Sequence, residues 1–312
     1  MTSEDRDLGM KALDGRVAVV TGAGGGIGRE HALHLARHGA QVVVNDTSYR
    51  RSADAASVVA EIEAAGGSAV ASRTSATWDG AEDIVGTALD TFGRLDILVN
   101  NATAAWGGDL WAISEEQFDL TFDVNVKGYF GLIRAAAPAM AQQGSGVIVN
   151  TSSASGFGDP GNSIYSAAKE SVVGLTRTAG CELGRFGIRV NAIRPVALGR
   201  SFTAYASAVE KWHDLVEAAT GVRPTEGLDA DTYSPDKVAA FVTWLCTDDA
   251  RHVNGRVFSV GGGAASLLAD EVVEQSIQPD SAGGDSTWAT VTEGLQNPWA
   301  VPDHPELRSW HG

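Results

Sequence analysis

The chain has 312 residues, 44% of them hydrophobic, and a formal net charge of −16. Such length and apolar content permit a large buried core, while the acidic balance disfavours nucleic-acid backbones and anionic lipid surfaces as partners. Its two cysteines, Cys181 and Cys246, lie far apart, which suits a reducing, cytoplasmic setting and speaks against a disulfide framework or a thiolate metal site.

Residues 1–14 read as a loosely ordered lead-in, too polar for a secretory signal. No apolar run anywhere approaches the roughly 20 residues of a membrane span. "RVAVVTGAGGGIG" is then a strand running into a glycine cluster, followed by "REHALHLARHGA", a helix closed by Gly39. "QVVVND" is a buried strand, "SADAASVVAEIEAAGG" an alanine-rich helix, "SAVAS" a short strand, "AEDIVGTALDTFG" a helix and "LDILVNNA" a strand. "SEEQFDLTFDVNVKGYFGLIRAAAPAM" opens with a serine and a glutamate pair, a helix-start signature, and runs long. "GVIVNTSS" and "IRVNAIRP" are strands flanking the helix "SIYSAAKESVVGLTRTAGCELG"; "SPDKVAAFVTWLCT" is the last helix and "GRVFSVGGG" the last strand.

Seven strands alternating with six helices predict an α/β fold. It is a Rossmann-type, doubly wound parallel sheet with helices on both faces, forming one domain over residues 15–263. Residues 196–232 interrupt the rhythm. Their Tyr205, Val209, Trp212 and Val216 recur at helical spacing and suggest a lid over a substrate. Residues 264–312 are expected to be a tail outside the sheet, with tryptophans at 288, 299 and 310.

The loop "TGAGGGIG" between the first strand and first helix has the context of a pyrophosphate cradle, where glycines allow close approach and the helix N-terminus favours negative charge. Asp46, eighteen positions after Gly28, ends the second strand, where a carboxylate can accept both ribose hydroxyls of adenosine. A phenol's ordinary pKa near 10 is too high for a base near neutrality. A cation beside it lowers that value, and Tyr165 and Lys169 stand one helical turn apart.

Together, Thr21-Gly22-x-x-x-Gly26-x-Gly28, Asn100-Asn101-Ala102, Asn125 in "VNVKG", the serines after the fifth strand and Tyr165-x-x-x-Lys169 resemble the short-chain dehydrogenase/reductase family over residues 13–263. "GREHAL", "VVVND" and "TSSASG" look, locally, like the (3R)-hydroxyacyl-CoA dehydrogenase domain of multifunctional β-oxidation enzymes. The resemblance implies an NAD(P)-dependent enzyme interconverting a secondary alcohol and a ketone. It places Gly22, Gly26, Ile27 and Gly28 at the pyrophosphate, Asn101 and Thr74 at the adenosine half, Leu198 at the carboxamide, and Tyr165 and Lys169 at the nicotinamide ribose. Asp46 predicts NAD, because a 2′-phosphate beside a carboxylate is repelled; Arg50 and Arg51 just downstream keep NADP open.

Tyr165 is then the acid/base, Lys169 its tuner, Asn125 the holder of a relay water and a serine the group that polarises the substrate oxygen. Family spacing, thirteen residues before the tyrosine, selects Ser152. The serine-pair stretch selects Ser153, and a rigid strand end outweighs a variable loop, so Ser153 is the choice and Ser152 the fallback. The family also implies a homotetramer or homodimer through the helices of Asn125 and Tyr165.

Several positions depart from the pattern: Thr103 stands at the usual glycine of Asn-Asn-Ala-Gly, Thr74 at a frequent aspartate, and "RPVALG" at a Pro-Gly pair. The connection 154–164 is one residue short. The alternatives are a catalytically silent dinucleotide-binding regulator that kept the fold after the loop shortened, and an enzyme of the same fold doing elimination or epimerisation, which the retained serine, tyrosine and lysine disfavour. His31, His34 and His38 are read as packing residues rather than metal ligands, and Cys181 as packed.

Overall fold

The computed structural model describes residues 11–47, 54–198, 209–220, 223 and 226–270. Eight strands form one sheet in the order β3-β2-β1-β4-β5-β6-β7-β8. They are β1 (Val17–Thr21), β2 (Gln41–Asn45), β3 (Ser68–Ser72), β4 (Ile97–Asn100), β5 (Gly146–Thr151), β6 (Ile188–Val196), β7 (Val257–Gly261) and β8 (Ala264–Leu267). The first seven are parallel. The order reverses between β1 and β4, where Ala18, Val19 and Val20 pair with Ile97, Leu98 and Val99. In open parallel sheets this reversal opens a crevice at the carboxyl ends of the strands, and ligands bind there.

Unbroken apolar runs such as "VAVV" form strands here because both faces are covered. Ala18, Val20, Val42, Val44, Val147 and Val149 point to one side. They pack with Leu33 and Leu35 of α1 (Gly26–Arg37), Val58 and Ile62 of α2 (Ala55–Ala64) and, late in the chain, Val238, Val242 and Leu245. Val17, Val19, Val43, Leu98, Ile148 and Val190 point to the other, against Ile84 and Val85 of α3 (Ala81–Phe92) and a layer formed by the next long helices.

Those helices carry the site. α4 (Glu115–Phe122) opens with a capping box in which Ser114 accepts from the Gln117 N–H, so Gln117, not the preceding glutamates, completes the cap. It passes through a π-helical turn, Asp123–Gly128, into α5 (Tyr129–Gln143). α6 (Ser163–Gly184) follows, then α7 (Glu210–Thr220) and α8 (Pro235–Leu245).

Three expectations need correcting. The sheet does not end at residue 263, because Ala264–Leu267 fold back antiparallel on β7 through a two-residue turn at Gly262 and Gly263, both at positive φ. Such a hairpin demands that conformation at both turn positions, which glycine adopts without strain. The lead-in is anchored at its end: Leu13 is fully buried in the core and its N–H donates to the His38 carbonyl. Cys181 is exposed on α6, whereas Cys246 is buried and its thiol is pushed up to about 12 by burial.

His31 is also buried, and desolvation, with His34 adding to it, lowers its pKa to about 3, so it packs as a neutral ring. Residues 213–226 belong to a separate compact unit, in which Arg223 pairs with Asp214 and Glu217. Tyr205, Arg50, Arg51 and the tryptophans at 288, 299 and 310 lie outside the described residues. Among the described residues no helix is long and apolar enough to cross a membrane.

Candidate active site

The glycine loop is shaped by its own neighbours. Gly22 sits at φ +63° with its α-carbon so close to Ala102 that an added Cβ would lie 2.8 Å from the Ala102 Cα. A Cβ on Gly28 would collide with the Gly22 carbonyl and lie 2.5 Å from Asn101 Nδ2. Asn101 Nδ2 donates to the Thr21 and Gly22 carbonyls at 3.0 and 3.3 Å, and Thr21 Oγ1 accepts from the N–H groups of Asn101 and Ala102. Gly28 and Asn101 therefore hold the loop to the end of β4.

Gly26, at φ +55°, would project a Cβ into open space, and α1 begins after Gly25 with no side-chain cap on its first-turn N–H groups. Open donors at a helix N-terminus fit a pyrophosphate. Ile27 packs partly into the core behind them. Asp46 follows β2, and its Oδ2 accepts from the Gly24 N–H at 3.1 Å, which sets the carboxylate against the same loop. Asn45 binds β2 to β3, donating to the Ser72 side chain and backbone and, at 2.8 Å, to the Thr74 carbonyl.

At the far end, the Leu198 N–H donates to the Tyr233 carbonyl at 2.7 Å. Its N–H is thus engaged within the chain, which leaves the Leu198 carbonyl as the backbone group for the expected carboxamide contact.

Tyr165 lies in the first turn of α6, and the Ser153 and Thr103 side chains are near enough to its hydroxyl to favour its ionised form. Lys169 is fully buried one turn later. Its Nζ donates to the Thr151 carbonyl at 2.8 Å and to the Tyr129 hydroxyl at 3.4 Å, and stands 5.5 Å from the Tyr165 ring centroid. Asn125 sits in the π turn, where the carbonyl of Ala76 approaches so closely that only a glycine fits at 128. Asn125 Nδ2 donates to the Ala104 and Thr121 carbonyls at 2.6 and 2.8 Å, and its Oδ1 accepts from Thr103 Oγ1 at 2.8 Å.

The two serines have separate tasks. Ser152 is 1% exposed and its hydroxyl donates to the Lys169 carbonyl at 2.7 Å, stitching β5 to α6. Ser153 begins a short 3-10 turn, Ala154–Phe157, with its hydroxyl accepting from the Ser155 N–H at 3.2 Å. Its carbonyl is gripped by Arg194 of β6 at 2.7 Å; the same guanidinium pairs with Glu170 and lies 4.0 Å from the Phe157 ring centroid. Arg194 and Thr103 carried no signal as site residues in the sequence, where one was read as strand and the other only as a missing glycine.

Burial dominates the electrostatics. It raises the Tyr165 pKa; the Thr103 and Ser153 hydroxyls pull it down and Asp159 pushes it up. Burial also drives Tyr129 well above the ordinary phenol value and lowers Lys169 to about 7. In the chain without its dinucleotide, burial therefore outweighs the hydroxyls and leaves the Tyr165 phenol above its ordinary value.

Residues 16–213 match the short chain dehydrogenase family. The peroxisomal multifunctional enzyme type 2 of Mus musculus is 41% identical over 80% of this chain, which spans 32% of that protein. The hydroxyacyl-CoA dehydrogenase ChsB1 of Mycobacterium tuberculosis is 38% identical over 90% of this chain and 88% of its own length. The chain belongs to the short-chain dehydrogenase/reductase family. A solved short chain dehydrogenase from Mycobacterium avium superposes with a TM-score of 0.75 and 37% identity, covering 94% of this chain and all of that one. As a short-chain dehydrogenase/reductase, it is an NAD(P)-dependent oxidoreductase acting on the alcohol–ketone pair.

For this short-chain dehydrogenase/reductase the serine pair makes a clean test. Ser153→Ala is expected to lower kcat about a hundredfold, the usual loss for one polarising donor, with the melting temperature little changed. Ser152→Ala should do the reverse: near-normal kcat and a melting point lowered by a few degrees, since it leaves a buried carbonyl short of a donor. Steady-state rates and thermal melts of both variants decide between them.

Proposed function

We propose that this protein is an NAD-dependent dehydrogenase of 3-hydroxyacyl thioesters, or equally the reductase of their 3-oxo forms, with Tyr165 as the acid/base. The observation that carries the reading is the meeting of Tyr165, Ser153 and Lys169 at the carboxyl end of β5, beside the β1–β4 crevice. When bound, the dinucleotide supplies the hydride acceptor and, oxidised, a positive charge near the phenol. Ser153 donates to the substrate oxygen and fixes its position. Tyr165 then takes the hydroxyl proton in oxidation or returns it in reduction. Buried Lys169 places a cation beside the phenol ring, and Asn125 holds the π turn that backs the site.

The substrate class has two supports. ChsB1 is named as a hydroxyacyl-CoA dehydrogenase and aligns nearly end to end. The two loops that leave Thr103 and Ser153, joined by the Gly108 N–H donating to the Gly161 carbonyl, carry exposed Trp106, Leu110, Trp111 and Phe157, an apolar wall suited to an acyl chain. A free secondary alcohol of apolar type is the second reading, favoured by the same wall and by the acidic surface. NAD is preferred over NADP because Asp46 sets a carboxylate where a 2′-phosphate would need a cation. We further propose a homotetramer or homodimer built on α4–α5 and α6, where Phe118, Leu120 and Phe130 stand exposed.

The test is a panel of 3-hydroxyacyl-CoA esters and free apolar secondary alcohols, each assayed with NAD⁺ and NADP⁺ by reduced-nicotinamide absorbance. Turnover of the thioesters with kcat/KM at least tenfold higher for NAD⁺ is expected. Turnover of free alcohols alone moves the assignment to the second reading. Binding of NADH without turnover of any member makes the protein the catalytically silent regulator.

A further inference from the structure

The backbone ladder between β5 and β6 stops one residue short of Ser153. Thr151 pairs with Ile193, and the Ser152 N–H donates to the Ile193 carbonyl at 2.8 Å. Beyond that point a side chain takes over. Arg194, the next residue on β6, donates through Nη1 to the Ser153 carbonyl and through Nη2 to Glu170 Oε2, each at 2.7 Å. Glu170 follows Lys169 on α6, so one guanidinium joins β6, the serine and the helix that carries Tyr165.

As a mere tie between β6 and α6 this arrangement is unfavourable. The Arg194 side chain is 4% exposed and its counter-ion 44% exposed, and Arg194 Nε has no hydrogen-bond partner among the described residues. A buried cation with a half-solvated partner costs stability that a well-packed apolar side chain would not. What an apolar side chain lacks is a donor for the Ser153 carbonyl. That carbonyl also receives the Gly156 N–H, but at 3.3 Å, the long closing bond of a 3-10 turn.

We propose that Arg194 is a positioning residue for the polarising step: it fixes the Ser153 backbone so that the serine hydroxyl meets the substrate oxygen in one direction. The inference rests on the reading of Ser153 as the polarising group. The Ser153 hydroxyl accepts from the Ser155 N–H at 3.2 Å, which occupies a lone pair and leaves the proton to be donated. Its direction then follows the placement of the turn Ala154–Phe157, and Arg194 sets that placement at three points. Nη1 holds the Ser153 carbonyl where the turn begins. The Phe157 ring, where it ends, lies with its centroid 4.0 Å from the guanidinium carbon. Between them Gly156 rests on the ion pair, since an added Cβ would collide with Glu170 Oε2 and stand 2.7 Å from Arg194 Nη1. A planar group with divergent N–H donors can serve all three contacts at once; a lysine ammonium cannot.

The experiment is a double-mutant cycle on the best substrate of the panel, with kcat measured for wild type, Arg194→Met, Ser153→Ala and the double variant. Methionine keeps a long, unbranched stem and removes the donors. Arg194→Met is expected to lower kcat about tenfold, the scale on which a small misplacement of a reacting group acts. The loss should not exceed the roughly hundredfold expected for removal of the serine hydroxyl itself. In the Ser153→Ala background the same substitution should change kcat by less than about twofold, because no hydroxyl is left to direct. A residue that only supports the fold lowers kcat equally in both backgrounds. Equal losses therefore overturn the proposal, as does an Arg194→Met enzyme with wild-type kcat. Should Arg194→Met not fold, Gly156→Ala enters the same cycle, since its methyl group displaces Arg194 and Glu170 from the turn, and the same two outcomes overturn the proposal. A Ser153→Ala enzyme with undiminished kcat instead removes the polarising role of Ser153, and this inference with it.

Discussion

Tyr165→Phe is expected to lower kcat by about a thousandfold, within the range that general acid–base catalysis contributes, while NADH still binds. The substitution removes one oxygen and leaves the ring in its place beside Lys169, whose Nζ lies 5.5 Å from the ring centroid and bonds elsewhere. Packing therefore changes little. What is lost is the group that exchanges a proton with the substrate: Ser153 polarises but has no partner to take its own proton. The Lys169 ammonium makes no hydrogen bond to Ser153 and cannot replace the phenol. Quenching of tryptophan fluorescence by NADH should report a dissociation constant within about threefold of wild type, since the glycine loop and Asp46 lie on the other side of β1 and are untouched. A variant retaining more than a tenth of wild-type kcat would remove Tyr165 from the chemistry.

The fold was readable because its strands are strings of Val, Ile and Leu bounded by glycines, and that pattern survives without tertiary knowledge. The eighth strand was missed for a local reason. Gly262 and Gly263 are the two-residue signature of a hairpin, but the following "AASL" is short and exposed, so it lacks the apolar run that marked the other strands. In the site, the elements that carry Ser153, Tyr165, Lys169 and Asn125 were legible from the strand–helix alternation, and the residues themselves came from the family resemblance. Their partners were not legible. The Thr103–Asn125 bond joins residues 22 apart across two elements, and the Arg194 grip on the Ser153 carbonyl spans 41 residues. No periodicity encodes such a contact. The Leu198 N–H likewise bonds a carbonyl 35 positions later. The choice between Ser152 and Ser153 turned on whether the strand end or the loop length fixes the serine, and what separates the two is tertiary: Ser152 is buried against the Lys169 carbonyl.

Lys169→Met is expected to move activity and stability in opposite directions. The ammonium sits without exposure to solvent, and burial lowers its pKa from 10.5 to about 7. A group whose folded pKa lies below its unfolded one binds more protons unfolded, so stability rises with pH between those two values. Below pH 7 the wild type carries the whole cost of a buried charge; above about pH 10.5 it carries none. Methionine fills the same space with no charge. The variant should therefore melt several degrees above wild type near pH 6.5, with the gap closing or reversing toward pH 10, where the neutral amine still donates to the Thr151 carbonyl and methionine cannot. Catalysis should fall by roughly a hundredfold near pH 6.5, where the wild type holds a cation beside the phenol, and by less toward pH 10, where the amine is already neutral. Melting curves at pH 6.5 and 10, beside rates at each, give the answer. A stability difference equal at the two pH values would show that Lys169 is not held as a desolvated charge. The cost of burying it is then absent, and with it the account of how this site keeps a cation beside the tyrosine.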